Sequence, residues 1–260
     1  MASNSVLDGT TAFGEASKWR LGLALWVAGM MGVVPTIFLL LPALLSQYVH
    51  RPLRVPVWVV LLSSSLQTAA FLALFVWAGV ALAPKVGLRA PGFMALVSGQ
   101  SVAQALRPQL WPGILGGLVV SVVPWFFTSH GLIVELHSPG SVVTAVLYGG
   151  ITEEIMLRWG VMTLLLWSGW RLLQKSRGQV STSVAWAAIV ISAVIFGAGH
   201  LPTTHLLLGH LSGFAVVTVI VGGALFGVVA GWLYWRYGLE SAILCHGISH
   251  IVAYMAYRVS

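Results

Sequence analysis

Glu153 and Glu154 stand side by side in an otherwise apolar stretch, with Arg158 a helical turn further on. A carboxylate near the middle of a bilayer costs about 2.5–3.5 kcal/mol on insertion scales, so an acid persists there when it has a partner or a task. Glu154 and Arg158 share a helical face with the acid first, the favourable order for an ion pair. Glu153 is turned about 100° away and left freer. Two adjacent acids in unequal surroundings can divide into one ionised and one neutral group, which suits one of them to general-base work. Three histidines join them. His200 lies four residues after Phe196 and just before Pro202, at an expected helix end, and His246 and His250 are four apart on one face. Imidazoles aligned in that way can bind a metal together or donate hydrogen bonds to a developing oxyanion. Each residue also has a structural reading: Glu154 with Arg158 as a locking ion pair, His200 as a capping residue, Phe196 as packing behind the site. His205 and His210 read as loop or cavity-rim residues.

The elements that must position these groups are membrane helices. Apolar residues make up 58% of the chain and charged residues 7%, with a mean hydropathy of +0.93, too few polar side chains to solvate a soluble surface. Runs of about 20 apolar residues, enough to cross a ~30 Å hydrocarbon core, can be laid out seven times. They are Leu21–Tyr48, Val55–Ala83, Gly113–Leu132, Ser141–Trp167, Val184–Ala198, Phe214–Tyr234 and Ser241–Tyr257. Runs this long are helices, because a helix satisfies its own backbone in lipid. The expected fold is all-α, a polytopic transmembrane bundle with seven or eight membrane helices. Residues 1–17 read as a disordered polar tail and 18–260 as one transmembrane domain, with a catalytic core over 141–257. Ala90–Trp111, with Gln100, Gln104 and Arg107, reads as an interfacial helix or an eighth, partial span. Gly149 and Gly150 are expected to weaken or break the fourth helix, so that Ile151 opens a second segment just ahead of the glutamates.

Basic residues alternate between flanks. Lys18, Arg20, Lys85, Arg89, Arg107, Arg171, Lys175, Arg177 and Arg236 fall on one side and Arg51, Arg54 and Arg258 on the other, which predicts a cytoplasmic amino terminus and, for seven spans, an outside carboxyl terminus. The net charge of +7 is spread over these flanks, so it marks topology and lipid headgroups as partners rather than nucleic acid. The polar start has no basic region, and no cleaved signal peptide is expected. A compact chain of this kind suits a bacterial inner membrane. Cys245, alone, can form no internal disulfide and no Cys-x-x-Cys metal site, and reads as a packing residue. Other intramembrane protease chemistries fit poorly. The chain has no His-Glu-x-x-His motif. Its one aspartate, Asp8, is in the tail, and His210, Leu211, Ser212 and Gly213 put histidine where a serine protease needs glycine.

Taken together, Glu153, Glu154 and Arg158, then Phe196 and His200, then His246 in the last helix resemble the CPBP family, which comprises type II CAAX prenyl endopeptidases and bacterial Abi proteins, bacteriocin-processing and immunity members included. Gly227–His246, with Gly231, Trp232, Leu233, Tyr234 and Arg236 ahead of Ala242–His246, resembles the family's penultimate-to-last helix hairpin. The likeness covers about the last 110 residues; the amino-terminal half shows only hydropathy. The resemblance implies a membrane protease, a hydrolase in which Glu153 and His200 activate a water and His246 with the residue four later stabilises the oxyanion. Glu154 and Arg158 would support the site, and Glu154 could take part directly. His250 stands where the family usually has Asn. Its imidazole can still donate to an oxyanion, but it also makes a metal site more credible. The family divides between metalloprotease and metal-free glutamate readings, so the cofactor is zinc, held by Glu153, His200, His246 and His250, or none. The implied partner is a membrane-anchored or prenylated peptide or protein. The rival readings are a non-enzymatic immunity or scaffold protein and a proton-coupled transporter in which these groups form a relay.

Overall fold

The computed structural model describes residues 15–49, 53–130 and 139–259, and all regular structure among them is helical. Six helices are long and apolar enough to cross a membrane: Ser17–Tyr48, Val57–Val86, Val102–Phe127, Thr182–Leu208, Gly213–Arg236 and Leu239–Ala256. A seventh rod, Pro139 to Leu172, carries Glu153, Glu154 and Arg158 and is less apolar for that reason. Seven passes in this order gather Lys18, Lys85, Arg171 and Arg236 at one edge of the bundle, as the charge pattern requires. Large side chains such as Leu39, Trp77, Val119 and Phe214 are exposed around the outside. An apolar girdle of that extent suits lipid rather than water. The chain is an integral membrane protein.

The first pass is α1 (Glu15–Pro35), a wide π turn at Thr36–Leu40, and α2 (Leu41–Tyr48). Helix therefore already begins inside the expected polar tail, at Glu15, and residues 1–14 lie outside the described residues. The second pass, α3 (Val57–Leu82), tightens into a 3-10 turn at Ala83–Val86.

Ala90–Trp111 is neither one interfacial helix nor an added span. It divides into a short helix, α4 (Pro91–Val97), and the first half of α5 (Val102–Val120), which α6 (Val122–Ser129) continues. The third pass thus starts eleven residues before the expected Gly113, and the part of the expected span beyond His130 lies outside the described residues. Three contacts explain the shift. Ser101 caps α5 by accepting from the Gln104 amide, which satisfies an otherwise orphaned donor. Gln109 is buried, and its Oε1 accepts from the Ser241 amide at 3.2 Å while its backbone carbonyl accepts from Ser241 Oγ at 3.3 Å. Glu240 Oε1 accepts from the Phe93 amide at 2.9 Å, which ties α4 to the start of the last pass.

The fourth pass runs as α7 (Pro139–Leu147), π turns over Tyr148–Glu153 and Ile155–Met162, and α8 (Thr163–Leu172). The remaining helices are α9 (Thr182–Gly199), α10 (Leu201–Leu208), α11 (Gly213–Arg236) and α12 (Leu239–Val259). Ser181 and Ser212 cap α9 and α11 through the amides of Val184 and Ala215. Helices α9 and α11 meet through small residues: a Cβ on Gly223 would come 2.5 Å from Gly197 Cα, and one on Gly227 would come 2.7 Å from Ala193 Cα. Close backbone approach of this kind is how helices associate in lipid, where apolar burial offers little preference for protein over acyl chain. The core beside this seam contains Ile155, Trp159, Met162, Ile189 and Tyr234. Trp159 Nε1 donates to the Val76 carbonyl at 3.2 Å, and the Thr163 and Tyr234 hydroxyls are 2.9 Å apart.

Candidate active site

Gly149 and Gly150 do not break the fourth helix. The chain passes through both as a π turn, in which each turn is wider than in an α-helix and one extra residue is accommodated, a feature frequent at functional sites. Continuous winding keeps backbone groups paired at membrane depth, and Thr152 Oγ1 pins the turn to α1 by donating to the Gly29 carbonyl at 2.6 Å. The glycines serve close approach instead. A Cβ on Gly149 would lie 2.7 Å from His250 Nε2 and 3.1 Å from His246 Nε2, and one on Gly150 would lie 3.3 Å from Gly247 Cα. Helix α12 can bring its two histidines against the π turn because no side chain stands between them.

The two glutamates separate as the helical spacing predicts. Glu154 is fully buried. Its Oε2 lies 3.1 Å from Arg158 Nε and its Oε1 2.7 Å from His246 Nδ1. The Arg158 contact is an ion pair without hydrogen-bond alignment; the guanidinium also reaches the Gly227 carbonyl through Nη2 at 3.4 Å. Its Cζ sits over the rings of Phe196 and Phe226, at 4.9 and 5.9 Å from their centroids, an arrangement that favours a desolvated cation. Phe196 also meets His200 and His246 edge to face. It packs behind the histidines, as expected.

Glu153 faces the other way, into a partly open cavity of about 390 Å³ that it lines together with Tyr148, Gly149, His200 and His250. His200 ends α9 and begins the short α10, in which Pro202 occupies an early position that tolerates proline. The fifth pass therefore continues to Leu208 instead of stopping at Ala198. His200 Nδ1 is 3.0 Å from the Phe196 carbonyl. With Nδ1 donating there, Nε2 is the acceptor of the neutral ring. The His246 and His250 rings stack at 4.9 Å, and His250 Nδ1 is buried without a hydrogen-bond partner. Glu154, Arg158, Phe196 and His246 are not among the cavity-lining residues, whereas Glu153, His200 and His250 are. His205 and His210 are exposed and outside that lining.

The opposite wall comes from residues that sequence reasoning did not single out: Thr36, Ile37, Leu40 and Leu44 of the first pass, and Thr68 of the second. The one sequence signal at this wall is a threonine directly after Pro35 inside an apolar run. Among the described residues, no three His, Cys, Asp or Glu side chains are grouped so as to hold a metal ion. His246 Nδ1 is committed to Glu154 and His200 Nδ1 is turned to a carbonyl. The donor set considered for zinc does not fit one in this arrangement.

No curated protein and no solved structure significantly matches this chain. A protein-family model does match, over a stretch that contains Glu153, Glu154, Arg158, Phe196, His200, His246 and His250. Residues 135–252 match the family model described as Type II CAAX prenyl endopeptidase Rce1-like, a finding consistent with the CPBP resemblance.

Proposed function

We propose that this chain is an intramembrane endopeptidase that hydrolyses a peptide bond of a membrane-associated or prenylated substrate, with a water activated by Glu153 and His200 and without a metal. The observation that carries the reading is the division of labour in the site: Glu154 is spent on Arg158 and His246, while Glu153, His200 and His250 share one cavity. A water between Glu153 and His200 Nε2 gives its proton to the Glu153 carboxylate as its oxygen attacks the scissile carbonyl carbon. The resulting oxyanion accepts a hydrogen bond from the His250 ring, a donor already desolvated and so effective for developing charge. When the tetrahedral intermediate collapses, the carbon–nitrogen bond breaks and Glu153 returns the proton to the leaving amine. His246, held by Glu154, fixes the orientation of the stacked His250 ring.

The test is cleavage of membrane-anchored peptides by purified protein in liposomes, read by mass spectrometry. Glu153→Gln is expected to lower the rate by about 10²–10⁴-fold, the usual contribution of a positioned acid–base group, while the protein stays folded. Equal cleavage by wild type and variant would sink the assignment. Absence of cleavage from both, across a broad peptide set, would favour an immunity or scaffold protein.

A further inference from the structure

Hydroxyls inside this bundle are spent within it. Ser65, Ser121, Ser192 and Ser249 donate back to carbonyls of their own helices at 2.8–3.0 Å, and Thr152 donates across to α1. Thr36 is different. Its Oγ1 is buried and, alone among the buried hydroxyls of the described residues, has no hydrogen-bond partner. The usual use of such a hydroxyl in a helix, a bond to a carbonyl one turn back, is not made. An unpaired polar atom in an apolar bundle is costly and calls for a reason. Its position supplies one. Gly32, four residues earlier and on the same helical face, is pressed against the fourth pass so closely that a Cβ there would overlap the Leu147 carbonyl and Thr152 Oγ1, which flank the π turn of Glu153. Thr36 lies one turn past that contact, in the lining of the cavity it shares with Glu153, His200 and His250.

We infer that Thr36 is a substrate-binding residue: its hydroxyl bonds a main-chain amide of the bound peptide, away from the scissile bond, and so holds the peptide in register with Glu153 and His200. The inference rests on the protease reading above and names a residue for it outside the stretch that matches the family model. Everything else that the first pass gives the cavity is aliphatic, from Ile37 to Leu44, so Thr36 is its one polar group there. Mostly apolar pockets use a few placed polar groups of this kind to fix the orientation of a ligand. A main-chain amide is the fitting partner, because it is the polar group that even a wholly apolar peptide carries, and a hydroxyl can serve either its N–H or its carbonyl. In the free protein the hydroxyl supports no other contact. What it contributes is therefore made only when the cavity is filled.

The experiment is steady-state cleavage of a membrane-anchored peptide in liposomes by the full chain and its Thr36→Val and Thr36→Ser variants, with unfolding followed in parallel by tryptophan fluorescence. Thr36→Val keeps the shape of the side chain and removes the hydroxyl. Its KM is expected to rise about five- to tenfold, the order of one hydrogen bond, with kcat kept, because a bond made alike to substrate and transition state changes binding only. Its unfolding midpoint is expected to equal or exceed that of wild type, since no bond of the free protein is lost; a structural role would lower it. Thr36→Ser is expected to keep the wild-type KM. Peptides in which one amide at a time is replaced by an ester locate the partner: at one position the ester costs wild type about five- to tenfold and costs Thr36→Val nothing further. A wild-type KM in Thr36→Val, a lowered unfolding midpoint, or ester losses that are the same in both proteins would each overturn the role of Thr36 and leave the protease reading in place. No cleavage of any peptide by wild type would overturn that reading itself, and this inference with it.

Discussion

Replacing Glu154 by Gln separates architecture from chemistry. The substitution keeps the shape of the side chain and removes its charge, and Arg158 is left inside the bundle, 1% exposed, without its carboxylate. Breaking a buried pair by removing one partner costs about 3–5 kcal/mol. Two features lower that figure here. The Gln amide oxygen can still accept from His246 Nδ1, so the 2.7 Å contact survives. The Phe196 and Phe226 rings keep their attraction for the guanidinium, typically about 0.5–2 kcal/mol for a desolvated cation. The expected loss is therefore about 1–4.5 kcal/mol, below the full cost of a bare buried charge. Glu153→Gln, at a cavity wall, is expected to change stability by less than about 1 kcal/mol. Removing the stranded charge should reverse much of the damage: Glu154→Gln/Arg158→Met should regain at least half of the loss, since apolar replacements of buried pairs are often neutral or better. The measurement is unfolding in mixed micelles with increasing denaturing detergent, followed by tryptophan fluorescence for all four proteins. A Glu154→Gln protein as stable as wild type, or a double variant no more stable than the single one, would refute the placement of the charge in the support of the site.

Other consequences are open to the same treatment. His200→Ala is expected to slow peptide cleavage by about 10²-fold or more without unfolding the protein, because the ring lines the cavity and its Nδ1 is tied to a backbone carbonyl; an unchanged rate would remove it from the mechanism. Gly149→Ala forces a methyl group against His250 and His246 and should cost about 1–3 kcal/mol together with most of the activity, whereas Gly213→Ala, whose new methyl group meets nothing within 4 Å, should match wild type in both unfolding and cleavage assays. Thr152→Val removes the bond to the Gly29 carbonyl and should lower stability by about 0.6–1.7 kcal/mol, the range for interhelical hydrogen bonds in membranes. Treatment with a strong zinc chelator is expected to leave cleavage unchanged, and a large loss restored by added zinc would overturn the metal-free mechanism.

The polar side chains of the candidate site were legible because the bilayer makes each of them costly. A glutamate or histidine in an apolar run announces itself, and the four-residue spacings of Glu154 with Arg158 and of His246 with His250 survive as contacts in the bundle. The number of passes followed from hydropathy for the same reason. What was hidden depended on partners far away in sequence. Glycine propensity predicts a break at Gly149 and Gly150, yet the close approach of α12 and the Thr152 bond to α1 keep the helix wound through them. The early start of the third pass rests on Gln109 meeting Ser241, 132 residues away. Hydropathy reads Gln100, Gln104 and Arg107 as an interruption because it does not see that such groups can sit at an edge or find a polar partner. Thr68 carries no local signal beyond polarity, and Thr36 only its place directly after Pro35.

The cavity has two authors within the chain. The face with Glu153, His200 and His250 lies inside residues 135–252, the part that matches the protease family model, and its opposite wall, Thr36 to Leu44 with Thr68, lies wholly outside that part. Under the proposed reading, the glutamates and histidines can stay fixed while the first two passes change, and each change would recut the shape that a peptide must fit. If the cavity binds peptide as proposed, two chains with the same glutamates and histidines need not share a substrate. An excised fragment of 135–252 would carry Glu153, His200 and His250 without the wall they face.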